Sequence, residues 1–169
     1  MFDITENAKL ITVMHPADGS GAALTTEWIS MENAKKATWI LDVGSSAAGT
    51  MAVTLAVATT NTGTHAKSIT SASADTTLGL DHYYTNSGDT YTKTTVSSST
   101  FNIASTVGST LYVVEVLAAE MGTVTDTSVY EAPYVRLVVS DPGAGGIQQI
   151  SCLLTDLRYQ QDAPPTAIA

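Results

Sequence analysis

A chain of 169 residues with a formal charge of −9 and only seven lysines and arginines can bury one substantial core, and it is too poor in cations to neutralise a run of phosphates, which excludes a nucleic-acid binder. Threonine (27) and serine (16) dominate, a composition that favours pleated sheet over long helices. The single cysteine, Cys152, excludes an internal disulfide, and no apolar run reaches the roughly 18 residues of a membrane-spanning helix.

"MFDITENAKL" at the start lacks the basic and apolar regions of a secretory signal, so the expectation is synthesis in a cytoplasm and no membrane partner. "LITVMH" (10–15) reads as a strand ending at Pro16, and "ADGSGA" (17–22) as a loop. "EWISM" (27–31) and "ATWILDV" (37–43) follow as strands, joined by "ENAKK", in which Lys35-Lys36 reads as a solvated turn. "MAVTLAVATT" (51–60) alternates, with Met51, Val53, Leu55 and Val57 on one face and Ala52, Thr54, Ala56 and Ala58 on the other. That small second face predicts close approach by another layer or another chain. Residues 61–80 read as a long surface loop with one short strand around 68–71. "DHYYT" (81–85) and "TYTKTTV" (90–96) flank the hairpin turn "NSGD". "TFNIA" (100–104) and "TLYVVEV" (110–116) are strands, and "LAAEMG" (117–122) is a single helical turn. "YVRLVVS" (134–140) and "IQQISCLLTDL" (147–157) bracket the glycine-rich turn "DPGAGG".

Eight to ten short strands predict an all-β protein, a jelly-roll-like β-sandwich or barrel with one short helical turn and an extended C-terminal tail. Residues 1–159 are expected to form a single β domain and residues 160–169 an extended arm. Asp162-Ala163-Pro164-Pro165 favours an extended polyproline conformation that loses little entropy when ordered against a neighbour.

Catalytic and metal chemistry find no pattern. His15, His65 and His82 are dispersed, without zinc-site spacing. Asp81, Asn86 and Asp89 lack the spacing of a calcium loop. "GSSAAG" is not a nucleophile elbow, and "GAGG" precedes a strand rather than the helix start that would hold a phosphate. Nothing brings Glu115 and Glu120 to the separation of a glycosidase pair. No catalytic residue, metal or cofactor is therefore expected. Cys152 lies in the apolar run "ISCLL" and reads as a buried thiol. Among the aromatics, Trp39 and Tyr112 fall in apolar strands and read as core, whereas Tyr83 and Tyr84 are candidates for a surface contact.

Three stretches taken in order, "PADGSGAALTTEWISMENAKKATWILDVGSSAAGTMAVTL" (16–55), "LYVVEVLAAEMG" (111–122) and the ending "LRYQQDAPPTAIA" (157–169), resemble a family of small structural proteins of tailed bacteriophages. The resemblance is weakest over 60–110 and carries no catalytic residues. It implies a noncatalytic β-rich capsid decoration, or cement, protein: a homotrimer on the virion exterior whose partner is the major capsid protein. Arg158 and Tyr159 would anchor the last strand, and Pro164 and Pro165 would stiffen the docked arm. The alternative is a virion-displayed receptor- or carbohydrate-binding module that uses Tyr83 and Tyr84.

Overall fold

The computed structural model describes residues 8–18, 22–44, 49–69, 80, 82–87, 89–96, 100–104, 110–121, 123–125, 129–141 and 147–157. In chain order the strands are β1 (Ala8–Asp18), β2 (Leu24–Thr25), β3 (Ile29–Ser30), β4 (Ala34–Val43), β5 (Met51–Ala58), β6 (Lys67–Ile69), β7 (His82–Ser87), β8 (Thr90–Thr95), β9 (Phe101–Ile103), β10 (Thr110–Leu117), β11 (Thr123–Thr125), β12 (Val129–Glu131), β13 (Tyr134–Val139) and β14 (Ile147–Leu157). The helical turn is a 3-10 turn at Ala118–Glu120.

Two antiparallel sheets form a β-sandwich. One has six strands in the order β1-β14-β4-β10-β7-β8; the other has the order β2-β13-β5-β6, with β3 also on β13 and β9 also on β5. Strands β11 and β12 pair separately. Alternation places Trp39, Leu41 and Val43 of β4, with Cys152 of β14, in the same buried cluster as Val53, Leu55 and Val57 of β5 and Leu137 of β13. The two inner faces therefore share one core, and the period-two pattern of β5 faces it as its sequence dictates. Trp39 is fully buried at its centre. Its indole Nε1 has no hydrogen-bond partner among the described residues.

The structure corrects three boundaries. β1 runs through Pro16 instead of stopping before it, with register shifts between Thr12 and Met14 and between Met14 and Ala17. Proline is tolerated there because β1 is an edge strand, where a backbone N–H can go unpaired. Lys36 belongs to β4 rather than to a turn, lying opposite Leu117 and Thr155. It forms an ion pair with Glu115. β7 extends to Ser87, which pairs with Thr90, so two residues join the hairpin in place of four.

Candidate interface surfaces

The six-stranded sheet turns one face to the core and one outward, and its register states which side chains share the outer face. Leu10 lies opposite Leu153, which lies opposite Thr38 and then Glu115. In the next row Ser151, Ile40, Val113 and Tyr84 align across four strands. The row after that carries Asp42, Leu111, Asn86 and Tyr91. An apolar band therefore runs diagonally from β1 to β8. The large hydrophobic residues exposed among the described residues are Leu10 (60%), Tyr91 (55%) and Leu117 (45%), and by register all three belong to this one face. Scattered exposed hydrophobics are ordinary; here Leu10 and Tyr91 stand on opposite edge strands and the half-buried Leu153, Ile40, Val113, Leu111 and Tyr84 lie between them, a continuity that marks a surface able to meet a partner. The charged side chains in these rows and in the adjoining row of Leu117, namely Lys36, Lys93, Asp42 and Glu115, balance to zero. In a chain of charge −9 that makes the face one that can approach another acidic surface without repulsion.

The outer face of the smaller sheet is closed instead. Ala56 and Ala58 are buried beneath Trp28, with Tyr134 and Val138 packed beside them. The small second face of β5 predicted close approach by another layer or another chain; Trp28 covers its Ala56 and Ala58, while Ala52 and Thr54 stay half-buried. Thr26 holds Trp28 there: its backbone N–H donates to the Leu137 carbonyl at 3.0 Å, and its hydroxyl accepts the Leu137 N–H at 3.0 Å. A side chain thus completes the ladder where β2 and β3 are interrupted. The Arg136 guanidinium carbon lies 4.3 Å from the centre of the Trp28 ring, a stacked cation–aromatic contact.

On its other edge Trp28 meets the turn after β5. Gly63 has φ +81°, and a Cβ there would stand 2.9 Å from the Trp28 Nε1. Gly63→Ala is therefore expected to destabilise the protein by about 1–3 kcal/mol, measured by urea unfolding. A neutral result would mean that the turn and Trp28 separate freely.

The sequence-predicted contact residues fall in different places. Tyr83 is half-buried and its ring stacks on Phe101 at 4.2 Å between centroids, at the rim of the core. Tyr84 is on the outer face, edge-on to His82, with the Lys93 ammonium 5.9 Å from its ring centre. Sequence adjacency thus sends the two tyrosines to opposite sides of the sheet. Arg158, Tyr159, Pro164 and Pro165 lie outside the described residues, as does the arm 160–169. The apolar band was missed because no single strand shows it; it exists only once six strands are in register.

Reactive chemistry is scarce among the described residues. No group of three or more His, Cys, Asp or Glu side chains converges to hold a metal. Glu115 is taken by Lys36, and the Glu120 carboxylate accepts the Leu117 N–H at 3.1 Å. Burial pushes the Cys152 thiol far above its ordinary value, which keeps it protonated and unreactive. No helix among the described residues is long and apolar enough to cross a membrane.

No protein-family model matches the chain, and no curated protein matches it. Among solved structures it is similar to a chain of infectious bursal disease virus Gt strain, at 14% identity and TM-score 0.26, covering 88% of this chain and 37% of that one. A mutant VP2 protein of the same virus, in derived T=1 particles, gives 14% identity and TM-score 0.26, covering 89% and 36%. The chain spans little more than a third of the length of these viral proteins. Scores this low carry no argument about function.

Proposed function

We propose that this protein is a noncatalytic virion structural protein of a tailed bacteriophage, a decoration or cement protein that binds the major capsid protein on the capsid exterior as a homotrimer. Under this reading it is made in the host cytoplasm and has no cofactor. The observation that carries the reading is the outer face of the six-stranded sheet, which bears all three exposed large hydrophobics of the described residues, Leu10 and Tyr91 on its two edge strands and Leu117 at the end of β10. Such a face suits a protein that works by contact area, bridging neighbours in a shell. The resemblance of residues 16–55, 111–122 and 157–169 to phage structural proteins supports the same reading. Arg158 and Tyr159 would anchor the end of β14, and residues 160–169, with Pro164 and Pro165, would act as an arm.

The reading is tested by co-sedimentation of the purified protein with expanded heads that lack it, with unexpanded heads beside them. Saturable binding at a fixed ratio to the major capsid protein is the expected result, and threefold occupancy would set that ratio for a trimer. Absence of binding to both head forms would sink the decoration role. A carbohydrate-binding module remains as the rival, with Tyr84 on the outer face and Tyr83 against Phe101. Binding to a glycan array that a Tyr84→Ala variant loses would support it.

A further inference from the structure

We infer that the apolar band on the outer face of the six-stranded sheet is the seat of the C-terminal segment, residues 158–169, of a neighbouring copy of this chain. The inference rests on the arm proposed above and adds where that arm lands.

Length, composition and charge agree. Twelve residues follow Leu157, and an extended polyproline-like run of that size spans about 37 Å. Six strands at about 4.8 Å spacing set the outer strands about 24 Å apart, so the segment can cross the whole band. It offers Tyr159, Ala163, Pro164, Pro165 and Ile168 as apolar contacts and balances Arg158 against Asp162. The face is likewise apolar with balanced charges. Two adjacent prolines remove two ladder donors, which suits a segment that lies across strands better than one that pairs along an edge.

Direction decides between its own face and a neighbour's. Leu157 pairs with Ala34, four residues beyond Leu153, so β14 leaves the sheet travelling away from the row of Leu10 and Leu153. Return to its own band would need a sharp reversal. Pro164-Pro165 favours extension over such a reversal. The face of a neighbouring copy places no such requirement on the segment.

The test uses full-length chains and a disulfide trap in solution, without heads. A mass-tagged Ile168→Cys chain is mixed under mild oxidation with an untagged chain carrying Leu10→Cys or Tyr91→Cys. Thr25→Cys, exposed on the other sheet, is the control. Cys152 is buried and protonated, so it stays out of the exchange. Leu10, Tyr91 and Thr25 are exposed, and an unchanged unfolding midpoint confirms each variant's fold. The expected result is a tagged–untagged heterodimer with at least one band position, in at least fivefold higher yield than with Thr25→Cys. Equal yields at all three positions, or no heterodimer, would overturn the inference. So would intrachain closure in a dilute chain carrying both Ile168→Cys and Tyr91→Cys, which would place the segment on its own face. Head binding without the cross-link removes this inference and leaves the decoration role; the cross-link without head binding does the reverse.

Discussion

Replacing Trp39 by alanine is expected to destabilise the protein by about 3–5 kcal/mol, a large part of the stability of a domain this size. The indole fills the centre of the sandwich, opposite Val114 on one neighbouring strand and Cys152 on the other, and nothing large enough to replace it stands nearby on its own strand. Its Nε1 is buried without a partner among the described residues, and an unmet buried N–H costs about 1–3 kcal/mol. Trp39→Phe removes that penalty along with part of the ring, so its cost should stay below about 1.5 kcal/mol. Urea unfolding of both variants measures the contrast. Equal losses would show that the indole N–H is satisfied and contributes to stability.

The second large effect concerns binding instead of folding. The double variant Leu10→Asp, Tyr91→Asp should unfold within about 0.5 kcal/mol of the parent per site, since both side chains are exposed. Its affinity for expanded heads is expected to fall at least tenfold, about 1.4 kcal/mol. Two carboxylates would interrupt the band at both ends and remove the charge balance that lets acidic surfaces approach. Under the proposed contact between copies, the same change also removes the avidity of an array. Thr25→Asp with Ala104→Asp adds the same charge at exposed positions off the band and should bind normally. Equal losses in the two double variants would mean that net charge alone governs binding.

How far the sequence showed this fold can be judged strand by strand. β5 and β14 were legible because one face of each is buried against the opposite sheet, which imposes alternation. β11 and β12 were not read, because three-residue strands in "TVTDTSVYE" are too short to show a period. β2 hid for the same reason, whereas β3 falls inside the strand read at 27–31; their continuity depends on the Thr26 side chain, a contact with a residue 111 positions away. Trp28 was visible as an aromatic, but its role as a lid over Ala56 and Ala58 needed the turn at Gly63 and the stack of Arg136. The apolar band was the least legible feature. Its members come from β1, β14, β4, β10, β7 and β8, and no pattern within one strand announces a diagonal.

The pairing of β1 with β14 governs how the chain must fold as it is made. Ala8 meets Thr155, and β14 lies between β1 and β4, so the six-stranded sheet keeps a gap until residue 157 has left the ribosome. Most of the protein is synthesised before its first strand has a place to bind. Contacts this distant in sequence slow the final step and leave strand edges bare meanwhile. Until β14 is available the facing edges of β1 and β4 have no strand between them, the kind of bare edge that favours aggregation, and the arrival of β14 is what completes the six-stranded sheet.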